Sequence, residues 1–261
     1  MRRRLTLACL LATAACTEVG TDPNAVVAVR FEGAAYPSIV LRDSLRDSLG
    51  NAQKLVATGL NYRNDAVQGA QFVFSSPDTV LQLSSDGGVF ARATQPVATP
   101  ARVFATVGSL QSQPDSLYVV ARADSMRPEK AVDTIPLTTL GGSTANPVQF
   151  TLFGDTLAGA PKVLVPQWLV SFQIRHGQTF FSPRDTAFAY AFVVTNTTPP
   201  RRLATFVDTT DASAKAERKV WVQPGVITAA EDTIFLIATA RPRKAGLPAI
   251  TKETMIVVRR Q

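Results

Sequence analysis

The sequence predicts an all-β chain of two β-sandwiches in tandem, and three observations carry that prediction. Short runs rich in Val, Ile, Phe, Thr and Tyr return about every 8 to 15 residues between Gly, Pro, Asn, Asp and Ser, as sandwich strands do. No long segment spaces its apolar residues at a helical period. Whole strands also recur. DSLYVVARA at 115–123 and DTIFLIATA at 232–240 share an acid, a hydroxyl, an aliphatic, an aromatic, two aliphatics and Ala-x-Ala, 117 residues apart. QFVFS from Gln71 and QWLVS from Gln167 repeat at 96 residues, which assigns about 21 extra residues to the second copy, around Gly177–Pro200.

The chain opens with basic Arg2–Arg4, an 11-residue apolar run Leu5–Ala15, and small residues just before Cys16, the layout of an export signal. A helix needs about 20 residues to cross a bilayer, so the run is too short to serve as a permanent anchor. ATAACTEV at 12–19 resembles the lipobox of bacterial lipoproteins, with Ala14 and Ala15 matching and Thr13 standing where the family usually has Leu. The resemblance implies cleavage before Cys16 and acylation of its thiol; an ordinary signal peptide followed by a free cysteine is the other reading. Cys9 leaves with residues 1–15, so the mature chain has no partner for an intramolecular disulfide. Residue 17 is Thr rather than Asp, so the family's inner-membrane retention signal is missing. This implies an exported, lipid-anchored envelope protein at an outer membrane or cell surface. Residues 16–24 are polar and read as a tether.

Loss of the signal lowers Lys+Arg from 27 to 24 against 20 acids, so part of the +7 formal charge belongs to export. The remainder is uneven: residues 16–139 carry net −2 and residues 140–261 net +6. A basic distal half suits anionic glycans or phosphates, or is simply a solvated surface. Nucleic acid is not an expected partner, because an exported chain without a basic–aromatic motif lacks that footprint.

In the first half the expected strands are 26–31, 38–41, 53–60, 70–75, 79–84, 88–94, 101–107, 116–123 and 134–139. In the second they are 148–153, 167–174, 187–195, 203–207, 216–222, 233–240 and 254–259. The glycine-containing stretch at 141–147 is the expected linker, giving one sandwich over 25–140 and another over 148–261. DTIPLTTL at 133–140 either closes the first or opens the second. On the strand from Gln167, Trp168, Val170, Phe172 and Ile174 share one face, which makes that face core. By the repeat, Phe72 and Phe74 fill the same role in the first sandwich.

GAQFVFSSPDTV at 69–80 and SSDGGVFARAT at 84–94 match the strand and hairpin of the tandem immunoglobulin-like domains of bacterial envelope and surface proteins. FVDTTDASAKAERKVWV at 206–222 is similar to the turn of the invasin-type repeats, with Ala214 where that family has Gly. The resemblance implies tandem immunoglobulin-like sandwiches. It specifies an activity hardly at all.

Catalytic constellations are scarce. His176 is the single histidine, which excludes multi-His metal sites and reads as a turn residue beside Gly177. Acids cluster at Asp43 and Asp47 and, separately, at Asp208 and Asp211, and Asp115, Asp133, Asp232 and Glu253 precede strands; turn-making is the expected role, with calcium between domains the alternative. No cofactor, metal or catalytic residue is assigned. Trp221, Arg241 and Arg243 are the candidate ligand contacts, for a glycan or an envelope protein. The expected function is a non-catalytic spacer, adhesion or binding module on a lipid at Cys16. The alternative is an accessory carbohydrate-binding protein using its basic second domain.

Overall fold

The computed structural model describes residues 22–137, 147–155, 161–181, 191–194, 201, 207–222 and 229–260. Within them the regular structure is all strand. The first sandwich is built from β1 (Ala28–Gly33), β2 (Ser38–Val40), β3 (Val56–Leu60), β4 (Val73–Ser75), β5 (Leu81–Leu83), β6 (Val89–Ala91), β7 (Ala101–Val107), β8 (Leu110–Gln111) and β9 (Asp115–Val120). The second begins with β10 (Arg122–Pro128), β11 (Val132–Leu137), β12 (Val148–Asp155), β13 (Val163–Leu164), β14 (Leu169–His176) and β15 (Thr179–Phe181). It is completed by β16 (Ala191–Val194), β17 (Val207–Thr209), β18 (Lys215–Val222), β19 (Glu231–Ala240) and β20 (Ile250–Arg260).

Both sandwiches follow one plan. The opening strand pairs antiparallel within one sheet, β1 with β3 and β10 with β12. The chain then switches sheets, and the next strand runs parallel to the last strand of its sandwich, β2 beside β9 and β11 beside β20. Antiparallel to the last strand lies β7 or β19, which pairs in turn with β4 or β14. Two packed sheets, antiparallel except for this one parallel edge pair, form an immunoglobulin-like sandwich.

The pairing moves the domain boundary. Val132–Leu137 runs in register with Met255–Arg260, so the 133–140 segment opens the second sandwich and does not close the first. The expected division into 25–140 and 148–261 is therefore corrected: the sandwiches meet at Ala121, the one residue between β9 and β10. The glycine-containing 141–147 stretch connects two strands of the second sandwich, β11 and β12, and 141–146 lie outside the described residues.

One landmark pair of the repeat is also reassigned. QFVFS and QWLVS fall on β4 and β14, which occupy the same place in their sheets. DSLYVVARA falls on β9, a last strand, whereas DTIFLIATA falls on β19, a next-to-last strand. Their likeness has a local cause. Both start with an Asp whose carboxylate caps the next amide (Ser116 N to Asp115, 2.8 Å; Thr233 N to Asp232, 2.7 Å), and both carry strand residues buried on both faces.

On β14 the predicted alternation holds: Val170, Phe172 and Ile174 are buried and Ser171 and Gln173 exposed, with Trp168 just before the strand fully buried. Phe150 meets Phe172 edge-on at 5.8 Å in the same core. The first sandwich closes on aliphatics, Ile39, Leu45, Leu55, Val103, Leu117 and Val119, while Phe72 and Phe74 are only half-buried.

Three hairpin loops share one device. Asp47, Asn61 and Asp211 each accept, on one side-chain oxygen, the amides two and four residues on, at 2.8–2.9 Å. The fourth loop position is left-handed each time: Gly50 (φ 94°), Asn64 (φ 68°) and Ala214 (φ 59°). Ala214 thus takes a left-handed conformation, which glycine adopts at no steric cost.

Candidate functional site: a locked joint and a groove beside it

The loop between β19 and β20, RPRKAGLPA at 241–249, turns back from the second sandwich onto the first. Arg243 has φ 54° and is 2% exposed. Its guanidinium lies over the Trp168 ring at 4.1 Å and the Tyr36 ring at 4.6 Å, a cation held between one aromatic from each sandwich. Nη1 donates to the Ser38 carbonyl at 2.6 Å and to its hydroxyl at 3.1 Å, and that hydroxyl donates to the Gln167 carbonyl at 2.6 Å. Trp168 Nε1 donates to the Arg241 carbonyl at 3.1 Å, fixing the indole that carries the cation. Arg243 Nη2 is buried without a hydrogen-bond partner, and burial pushes the guanidinium pKa down to about 10, with Tyr36 working the other way.

A second charged contact closes the other side. Arg122 is the first residue of β10; Nη2 reaches Asp43 Oδ2 at 2.6 Å and Nη1 donates to the carbonyls of Pro242 and Arg243 at 3.1 and 3.3 Å. Asp43 also accepts Arg46 Nε at 2.8 Å and the Ser44 amide at 2.7 Å. Burial raises the Asp43 pKa most strongly as a single influence, but the bonds from Arg122, Arg46 and Ser44 together hold it below the usual aspartate value. Gly50 completes the fit, because a Cβ there would stand 2.5 Å from the Ala245 nitrogen. Beneath these contacts Val40, Val120 and Ala121 pack into the core of the second sandwich.

Beside the joint runs a groove of about 720 Å³, between the start of β10 and the end of the 241–249 loop with the start of β20. Its walls include Leu247, Pro248 and Ile250 and its polar residues include Asp124, Asp155 and Lys252. The β10–β12 register shifts between Ala123 and Ser125, a bulge at Asp124. The two carboxyl groups are close enough that Asp124 raises the Asp155 pKa; Lys162 binds Asp124 at 3.0 Å.

Of the residues expected to touch a ligand, Arg243 is corrected: it is sealed in the joint, where its charge needs the two rings and the Ser38 carbonyl. Arg241 keeps an exposed side chain on the same loop. Trp221 is half-buried on β18, across from Phe192 of β16, and so belongs to the other sheet. Cys16 lies outside the described residues. His176 ends β14, with Nε2 3.1 Å from the Asp232 carboxylate, tying that strand end to β19. Asp43, Asp47, Asp115, Asp133, Asp211 and Asp232 each accept a backbone amide one or two residues on, the turn-making role. Among the described residues no three His, Cys, Asp or Glu side chains gather as metal ligands would.

Sequence reasoning did not single out Tyr36, Ser38 and Arg122, and it read Asp43 as a turn acid or calcium ligand rather than as part of a joint. Arg243 and Ser38 are 205 residues apart in the chain, and no local pattern announces such a contact.

Comparison with protein-family models and with curated proteins finds no match. Among solved structures, the Yersinia pseudotuberculosis adhesin InvE aligns with 92% of this chain at 16% identity and a TM-score of 0.33, and the chain spans 61% of that structure. Drosophila N-cadherin EC1-3 aligns with 90% of this chain and 68% of its own at 9% identity and a TM-score of 0.31. The E. coli chaperone DraB aligns with 52% and 55% at 13% identity and 0.29. Similarities this weak do not bear on kinship or activity.

Proposed function

We propose that this chain is a lipid-anchored envelope protein whose two immunoglobulin-like sandwiches act as one stiff, non-catalytic spacer that presents a binding surface away from the membrane. The observation that carries the reading is the joint. A single residue, Ala121, connects the sandwiches, and a buried Arg243 shared by Tyr36 and Trp168 is reinforced by the Arg122–Asp43 pair. Domains meant to swing are separated by exposed, flexible linkers; here side chains of both sandwiches are spent on preventing it. His176 is engaged with Asp232, and Asp211 with turn amides.

The anchor rests on the Ala14–Ala15–Cys16 processing sequence, and the polar 16–24 segment would leave the first sandwich close to the bilayer. The test has two arms. Metabolic palmitate labelling and membrane association should be lost in Cys16→Ala; unchanged labelling would refute the anchor. Small-angle scattering of the chain should fit one rigid two-domain body, and a profile that requires an ensemble of inter-domain angles would refute the stiff spacer.

A further inference from the structure

The sheet switch that builds each sandwich leaves a notch along its last strand. In the second sandwich β11 covers β20 only from Met255 to Arg260, whereas β20 starts at Ile250. The Met255 amide points to the β11 side, donating to the Ala131 carbonyl at 3.0 Å. Strand residues alternate, so the main-chain groups of Thr251 and Glu253 point the same way, away from β19. Among the described residues no hydrogen bond engages them on that side. Thr251 lines the groove described above, with Glu253 next along the same edge, and the far side is bounded by β10, which among the described residues pairs only with β12.

The first sandwich has the same notch, and there it is capped. Its groove, of about 470 Å³, lies between β1 and the approach to β9, and the Asp115 carboxylate reaches across to the Ala34 amide at 3.0 Å. In the second the corresponding bridge sits further along the strand, where the Thr254 hydroxyl donates to the Lys130 carbonyl at 2.9 Å, and among the described residues no hydrogen bond or ion pair joins Thr251 or Lys252 to β10.

We infer that the second notch is a strand-addition site, taking an extended segment of a partner protein that continues the β11 path along Thr251 and Glu253 and places a Lys or Arg at the Asp124–Asp155 pair. Main-chain donors and acceptors at two-residue spacing are matched by another extended polypeptide and by little else. The apolar wall of Leu247, Pro248 and Ile250 supplies a pocket for an alternate side chain. The basic requirement comes from charge. Lys162 binds Asp124 at 3.0 Å and the Ser125 hydroxyl at 2.9 Å and acts on Asp155 only through space, Asp124 raises the Asp155 pKa, and among the described residues no ion pair engages Asp155 or Lys252. The inference rests on the reading of the chain as a binding module; its failure would leave the anchor and the stiff joint standing, since neither uses these groups.

The test is selection from a short-peptide display library on the full-length chain in detergent. The expected result is a family of binders enriched in one basic position, with the amides of Thr251 and Glu253 protected from hydrogen exchange when bound. Thr251→Pro removes one edge donor that does not serve β19, a substitution edge strands tolerate; it should weaken binding about tenfold, near the upper end for one main-chain hydrogen bond. Asp155→Asn, at the surface, should keep the fold and abolish the basic preference, and it stands as the second variant should the proline disturb β20. Recovery of no peptide family, or binders that leave both amides unprotected, would overturn the proposal. Small-angle scattering of the same sample reads the joint separately.

Discussion

The two sandwiches share a strand plan but not a core. The first packs aliphatic side chains and leaves its aromatics, Phe31 and Phe74, half-buried in tilted contact at 6.2 Å. The second buries Trp168, Phe150, Phe172 and Phe181, and its core takes in Val40, Val120 and Ala121 from the first. Aromatic side chains bury large areas each, so the second sandwich is the anchor and the first is docked on it through β2 and the end of β9. The asymmetry continues in the closing strands, because β20 is 11 residues long against 6 for β9. One plan repeated does not imply one stability repeated.

Trp168→Ala should break this difference most severely. It removes a fully buried indole from the larger core together with the ring beneath Arg243, a loss of about 3–5 kcal/mol. Chemical denaturation should show the second sandwich unfolding early and the joint opening with it. A loss below about 1 kcal/mol would mean that the core relaxes around the gap, and the anchoring role would pass elsewhere.

Arg243→Ala comes next, at about 2 kcal/mol, for a charged donor to the Ser38 carbonyl and the packing of its stem. A single unfolding transition in the parent should divide into two. Arg243→Met should stay within about 1 kcal/mol of the parent, because it refills the volume and removes a buried cation with one unpartnered nitrogen. A methionine variant as damaged as alanine would show that the charge, and not the packing, couples the sandwiches.

A smaller effect follows from Asp43. Its folded pKa lies below the unfolded value, so the carboxylate contributes stability above about pH 4 that is lost as pH falls through the folded value. Scattering profiles should loosen on acidification over that range, while Asp43→Asn should already be loosened at neutral pH and change less. A parent profile unaltered until global unfolding would remove the Arg122–Asp43 pair from any role in holding the joint.

The strands were legible because period-two burial is written locally: Trp168 to Ile174 declared their face, and Asp47 and Asp211 their turns. The joint was not legible, because its partners are brought together only by the fold. A Pro-Arg pair in a loop looks like an exposed contact until Tyr36 and Trp168 arrive from distant strands. The boundary was misplaced for a related reason. Gly141 and Gly142 give a linker-like composition, yet composition cannot tell a loop inside a sandwich from one between sandwiches; only the parallel ladder of β11 with β20 does. The 117-residue repeat misled because capping acids and two-sided burial describe a strand's surroundings, not its place in the sheet.

The hairpin loops offer the finest comparison. Gly50, Asn64 and Ala214 hold the same left-handed position with three different side chains. Gly50 is required twice over, by its φ and by the backbone of residues 244–245 packed against it. Ala214 is fully buried, so its methyl contributes about 0.8 kcal/mol of burial against about 1–2 kcal/mol of left-handed backbone cost. Ala214→Gly should therefore shift stability by less than about 1 kcal/mol, on the stabilising side, as read by thermal unfolding. Gly50→Ala, at the equivalent position, should destabilise and loosen the joint, since its Cβ would collide with main chain. If the two substitutions behaved alike, the loop conformation alone would set the choice of residue, and contact with the second sandwich would have no part in selecting glycine at position 50.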